Sequence, residues 1–242
     1  MDIIISHDWN VSLTTAKGIQ KELFKKVEFS KIDVTKVKKV LAVDISYHRK
    51  SKLGFAVMGV FNVSYDMDRR IFNINQYSIH KNIANVSFPY IPGFLSFREI
   101  PLLIPLLNNF KDKPDLVLVD GAGIAHPRKM GLASHIGVIY DIPTIGCAKS
   151  RLIGDYDEPG TRKGSFSYLY YKGEVVGAVL RTRDYTRPLF ISPGNKTDIE
   201  SSVSLVLSFC TNYRIPEPIR IIDSKTKKFR KEYERGKNAE VI

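Results

Sequence analysis

Lys39-Val-Leu-Ala-Val-Asp-Ile45 and Asp115-Leu-Val-Leu-Val-Asp120 are the two stretches that decide the fold. Each is a short, continuous apolar run rich in β-branched residues, the pattern of a central strand covered on both faces. Each is also closed by an acid, Asp44 in the first and Asp120 in the second. Burying a carboxylate in such a run costs several kcal/mol unless it is paired or ligates a cation. A strand-end Asp that caps a turn or meets an arginine explains either one alone. Two such strings in one chain suggest more. If the strands are neighbours, the carboxylates converge, repel each other and are relieved by a hard divalent cation with oxygen ligands, Mg²⁺ above all.

Outward from these strings, residues 54–63 and 71–79 are rich in β-branched and aromatic residues and flank a polar connection, which predicts an antiparallel meander with the first strand. Ile19, Leu23, Phe24 and Val27 recur at helical spacing and predict an amphipathic helix over 15–29. Ser96 opens a second helix with Ile100, Leu103 and Leu107 on its apolar side. A helix over 131–139, a short strand over 143–146 and a hairpin of 168–171 with 175–180 turned at Lys172-Gly173 follow. A last apolar helix covers 198–210. This order predicts an α/β fold, a mixed sheet with helices on both faces. From Lys225 onward hydrophobic density falls and charge rises, so residues 225–242 are expected to form a basic, flexible tail.

The chain of 242 residues carries 37 Lys+Arg against 25 Asp+Glu, a net charge of +12, and is 43% hydrophobic. That is enough apolar material for a sizeable core, and the positive surplus favours a polyanionic partner such as nucleic acid. The longest nearly uninterrupted apolar stretch, Pro101-Leu-Leu-Ile-Pro-Leu-Leu107, is far shorter than the ~20 residues of a membrane helix. The amino terminus lacks a basic segment before an apolar one, so no membrane partner and a cytoplasmic location are expected. Cys147 and Cys210 do not have metal-cluster spacing and read as reduced, buried thiols.

Several further residues could carry chemistry. Glu99 ends Ser96-Phe-Arg-Glu99, which matches a helix capping box and gives Glu99 a structural role; a helix start packed at the strand ends would also point it toward the cation. Tyr90-Ile91-Pro92-Gly93 is a rigid turn presenting an aromatic side chain, which either packs on the core or wedges between bases. Gly121-Ala-Gly-Ile-Ala-His-Pro127 follows Asp120 at once, and its glycines permit close approach of a ligand to backbone N–H groups. His126, held extended by Pro127, could face the same crevice. Lys149 lies just past a strand, where it either faces water or neutralises a phosphate.

Taken together, Pro89-Tyr-Ile-Pro-Gly-Phe-Leu-Ser-Phe-Arg-Glu99, Pro114-Asp-Leu-Val-Leu-Val-Asp-Gly-Ala-Gly-Ile-Ala-His-Pro-Arg128, Gly131-Leu-Ala-Ser-His135, Pro143-Thr-Ile-Gly-Cys-Ala-Lys-Ser-Arg-Leu152, Ile191-Ser-Pro-Gly194 and Tyr213-Arg-Ile-Pro-Glu-Pro-Ile-Arg220 resemble endonuclease V. The resemblance implies a ribonuclease-H-like α/β fold, with residues 1–224 as a single catalytic domain. It implies a Mg²⁺-dependent repair endonuclease, with Mn²⁺ as a substitute, that nicks the second phosphodiester 3′ to deoxyinosine. The implied partner is inosine-containing nucleic acid, with DNA preferred. On this resemblance Asp44, Glu99 and Asp120 are metal-binding catalytic carboxylates, His126 and Lys149 are active-site residues, and Tyr90, Ile91 and Pro92 form the wedge. Gly93, Leu95 and Gly121 are expected to wall the pocket for the extruded base. Asn195 stands where the family usually has a histidine near the metal, and Asn is a poor divalent-metal ligand. Ala122 replaces a commonly polar residue. Two alternatives stay open: an inosine-specific endoribonuclease, and a lesion-binding module that does not cleave.

Overall fold

Side chains along a strand alternate between faces, and the two diagnostic strings use this fully. In β1 (Lys39–Tyr47), Val40 and Ala42 enter one core while Leu41 and Val43 enter another. In β4 (Leu116–Val119), Leu116 and Leu118 join the first core, and Val117 and Val119 the second. The strands run parallel with Val43 beside Val119. The computed structural model describes residues 1–49 and 51–239.

β2 (Leu53–Asp66) and β3 (Ile71–Asn85) complete the meander beside β1, and β5 (Thr144–Ala148) lies parallel to β4 on the other side. β6 (Phe166–Tyr171), β7 (Glu174–Leu180) and β8 (Leu189–Asn195) extend the sheet in antiparallel fashion, in the order β3-β2-β1-β4-β5-β8-β7-β6. The Leu41/Val43 face is covered by α1 (Leu13–Phe24), α2 (Leu95–Asn108) and α3 (Leu132–Tyr140). The Val40/Ala42 face is covered by α4 (Ile199–Ser208) and α5 (Glu217–Ala239). This is the expected mixed α/β sheet with helices on both faces. Among the described residues no helix is long and apolar enough to cross a membrane.

Four expectations need correction. α1 begins at Leu13, capped by the Ser12 side chain, and ends at Phe24 rather than 29. β3 runs to Asn85, because its pairing with the long β2 continues past the apolar segment. β8 was not expected as a strand. It contains Pro193 and Gly194, poor strand formers, and tolerates them where its pairing with β5 is irregular. The expected flexible tail is helical where it is described, because α5 passes straight through Lys225 to Ala239; residues 240–242 lie outside the described residues. Ile219, Ile222 and Thr226 are fully buried at helical spacing, and Phe55 packs edge-on against Phe229 and Tyr233. A narrow buried stripe between exposed lysines lowers average hydrophobicity without detaching the helix.

Candidate active site

Because Val43 and Val119 are in register, the next residues, Asp44 and Asp120, emerge side by side in the middle of the sheet, where β4 ends. They share the parity of Val40, Ala42, Leu116 and Leu118 and therefore look toward α5. α5 meets them with Asp223. One carboxylate oxygen from each of Asp44, Asp120 and Asp223 lies within 4.8 Å of the others. Burial pushes the Asp44 carboxyl up to about 6; a hydrogen bond from Thr226 opposes this, and the charges of Asp120 and Asp223 add to it.

Two lysines offset the cluster. Lys149, one residue past β5, pairs with Asp120 and lies 3.5 Å from Asp223 Oδ1. Burial alone would lower its pKa, but Asp120, Asp223 and Asp44 together hold it above the ordinary lysine value. Lys227 Nζ donates to Asp223 Oδ2 at 2.5 Å. The donor set is three carboxylates with no sulfur or imidazole, which fits a hard divalent cation.

Glu99 approaches from the opposite face. It is 8% exposed, and Tyr47, at the end of β1 on the α2 side, donates to its Oε1 at 3.0 Å. Burial raises Glu99 to about 8, and the charges of Asp44 and Asp120 push the same way. The Arg98 guanidinium lies 4.3 Å over the Tyr47 ring. Burial and the Glu99 charge raise the Tyr47 phenol well above its usual range. The capping-box role for Glu99 does not hold. Phe94 occupies the N-cap position without a side-chain cap, and the Ser96 hydroxyl bonds to His135 instead. The helix therefore starts too early for Ser96 to be its cap.

His126 fastens the turn that carries Gly93. Its Nδ1 accepts from the backbone N–H groups of Arg128 (3.2 Å) and Met130 (3.3 Å), so Nε2 carries the hydrogen and donates to the Gly93 carbonyl at 2.9 Å. Burial, reinforced by Arg128, lowers it to about 4, which keeps the ring neutral. The same carbonyl accepts from Arg128 Nη2 at 2.6 Å and Gln20 Nε2 at 3.1 Å. Three donors thus fix the end of the Tyr90-Ile91-Pro92-Gly93 turn. Gly93 has φ +80°, and a Cβ there would sit 3.0 Å from Arg128 Nη2. Tyr90 at the tip is 71% exposed, Pro92 is exposed and Ile91 is half-buried.

Behind the turn lies a cleft of about 120 Å³. Tyr90, Ile91, Pro92, Gly93 and Leu95 wall one side, and Ala122, His126 and Gly131 face them. Gly121 is not part of this wall. The close approach its loop was expected to offer a ligand is used internally at Gly123, where a Cβ would stand 2.0 Å from the Pro193 carbonyl oxygen. Asn195 is also displaced from its expected place. It pairs with Thr144 at the start of β5, its Oδ1 accepts from the Glu28 N–H at 2.9 Å, and its Nδ2 donates to the Gly137 carbonyl at 3.0 Å. Its side chain is thus committed to joining α3 to the segment after α1.

Asp223 was not among the expected site residues. A signal did exist: Ile219, Ile222, Asp223 and Thr226 follow the i, i+3, i+4, i+7 spacing of a buried face, which places one acid on the core side of a lysine-rich helix.

A mixed α/β sheet that gathers carboxylates from two central strands beside a cleft with an exposed aromatic lip defines the class as a nuclease. The sequence profile described as Endonuclease V matches residues 21–224. An Endonuclease V from Kosmotoga olearia is 42% identical over 234 residues, 96% of this chain and 99% of the relative. The crystal structure of the Endonuclease V from Streptomyces avermitilis, 33% identical, superposes with a TM-score of 0.83 over 97% of this chain and 100% of that one. Ciona intestinalis Endonuclease V, solved in complex with a 24mer DNA containing an inosine followed by a ribo-adenosine, is 28% identical with a TM-score of 0.76, covering 91% and 98%. The chain belongs to the endonuclease V family.

Proposed function

We propose that this protein is a Mg²⁺-dependent endonuclease, with Mn²⁺ able to substitute, that recognises deoxyinosine in DNA and nicks the second phosphodiester 3′ to it. The observation carrying this reading is the convergence of Asp44, Asp120 and Asp223 next to a cleft lipped by Tyr90. The cation, when bound, supplies an activated water and charge stabilisation for in-line attack at phosphorus. Asp44, Asp120 and Asp223 would hold it, with Glu99 ligating directly or through water once deprotonated. Lys149 is exchangeable between its carboxylate partners and an incoming phosphate, whose negative charge it would offset.

Recognition is spatially separate from this chemistry. Inosine pairs weakly with most bases, so extruding it costs less than extruding a well-paired base. Tyr90 and Ile91 would fill the gap left in the stack, while the cleft behind Gly93 and Leu95 receives the base. The donors on the Gly93 carbonyl keep the lip from collapsing into the cleft. His126 serves here as a positioning residue.

The test is nicking of a duplex carrying one deoxyinosine against its adenine counterpart, with and without Mg²⁺. Asp120→Ala should abolish nicking yet retain inosine binding; full activity in that variant refutes the reading. The ribo-adenosine in the Ciona complex favours one further substrate, an inosine-containing strand with ribose 3′ to the lesion. Competition between matched deoxyinosine and inosine strands decides between them. A non-cleaving lesion binder would show neither activity.

A further inference from the structure

The back of the cleft is wired to the amino-terminal segment. Ser96, in the first turn of α2, lines the cleft and is 1% exposed. Its Oγ lies 2.9 Å from Nδ1 of His135 on α3, a fully buried residue. His135 Nε2 lies 2.7 Å from Nε2 of His7, and His7 Nδ1 lies 2.8 Å from the Asp8 carbonyl oxygen. Trp9 stacks on the His135 ring at 5.2 Å and Phe97 meets it edge-on at 5.4 Å, so the ring is clamped.

The hydrogens along this chain can be assigned in order. A carbonyl oxygen only accepts, so His7 Nδ1 carries a hydrogen. Burial lowers the pKa of both imidazoles, against the opposing pull of Asp8 on His7, so above the ordinary histidine range each ring is neutral with a single N–H. His7 Nε2 is therefore a bare lone pair, and the hydrogen between the two Nε2 atoms belongs to His135. That leaves His135 Nδ1 bare, so Ser96 must donate its hydroxyl hydrogen to it. Only lone pairs of Oγ are then left for any other partner.

We propose that Ser96 is a specificity-determining acceptor of the cleft, held in that role by His135 and His7, and that it selects a base whose edge carries an N–H. The base is a 6-oxopurine, whose N1 bears hydrogen, in preference to adenine, whose N1 is a lone pair and would meet Oγ acceptor to acceptor. The proposal rests on the reading of the cleft as the base pocket. Guanine shares the N1–H and is not rejected by this device. His7 and His135 are positioning residues that act through Ser96. Leaving a buried acceptor facing another acceptor is costly enough to give roughly tenfold or greater discrimination.

The test has two arms. Long-range imidazole ¹⁵N–¹H spectra of the full chain should show His7 protonated at Nδ1 and His135 at Nε2; a His135 protonated at Nδ1 overturns the proposal. In the second arm, strands carrying hypoxanthine are compared with strands carrying unsubstituted purine, whose N1 is a lone pair. The hypoxanthine-to-purine ratio of kcat/KM should fall about tenfold in both Ser96→Ala and His7→Phe. His7→Phe keeps an aromatic ring beside Trp9 while freeing His135 to change tautomer. An unchanged ratio in Ser96→Ala, with hypoxanthine nicking retained, overturns the proposal. Absence of wild-type nicking on hypoxanthine, with the tautomers as assigned, overturns the function reading and leaves the relay standing as structure alone.

Discussion

Glu99→Gln should stabilise the metal-free protein, and more so at alkaline pH. The Glu99 carboxyl is raised from 4.5 to about 8, chiefly by burial. Between those values the folded chain keeps a proton that the unfolded chain has released, so wild-type stability falls as pH rises through this window and levels off above it. At 1.36 kcal/mol per pH unit the ceiling on that loss is about 5 kcal/mol. Asp44, itself raised, shares the local charge and can take up part of the change, so a realistic figure is about 2 kcal/mol. Glutamine has nearly the same shape, can accept from Tyr47 and does not ionise. For a chain of this size Tm moves by roughly 2–4 °C per kcal/mol. In EDTA, the variant's Tm advantage over wild type should therefore grow by about 4–8 °C between pH 5 and pH 9. Nicking activity should fall in the same variant. Parallel pH–Tm curves for the two proteins would refute the claim that burial raises the Glu99 carboxyl in the folded chain.

The same carboxyls govern cation affinity. With Asp44 near 6 and Glu99 near 8, protons compete with the cation, so Mg²⁺ or Mn²⁺ binding should tighten as pH rises from 5.5 to about 8 and flatten beyond; calorimetry in buffers of different ionisation enthalpy should show net proton release near pH 7. Ending the chain at residue 224 removes Thr226 and Phe229 and uncovers Phe55, at a cost of about 3–5 kcal/mol or more; a denaturation midpoint equal to that of the full chain would contradict the packing of α5. Tyr90→Ala should change stability by less than about 0.5 kcal/mol, since the side chain is 71% exposed. It should nevertheless reduce cleavage of inosine in duplex more than in single strands, and equal losses on both would argue against a wedge.

The two central strands and their acids were legible because burial on both faces requires a continuous apolar run, and an acid that ends the run then stands out, although β1 itself continues past Asp44 to Tyr47. The amphipathic α1 was visible for a related reason, a period set by local backbone geometry, whereas α3 is buried on every side. β8 was hidden because Pro193 and Gly194 contradict strand propensity and are tolerated only by the irregular pairing with β5. α5 was hidden because a narrow stripe of Ile219, Ile222, Thr226 and Phe229 is diluted by lysines on the other faces.

The candidate site divides along the same line. Residue type and position within a strand, properties each segment carries by itself, marked Asp44 and Asp120 as anomalies and Tyr90-Ile91-Pro92 as a rigid tip. Which partners meet them depends on sheet order and strand parity, which no segment carries alone. Even parity turns Asp44 and Asp120 toward α5 and hence to Asp223 and Thr226, whereas odd parity turns Tyr47 toward α2 and Glu99. The protonation of His126, the removal of Asn195 from the site and the hydrogen-bond chain from Asp8 to Ser96 were likewise decided by tertiary contacts, because a tautomer is set by whichever donors and acceptors the fold brings to each ring nitrogen.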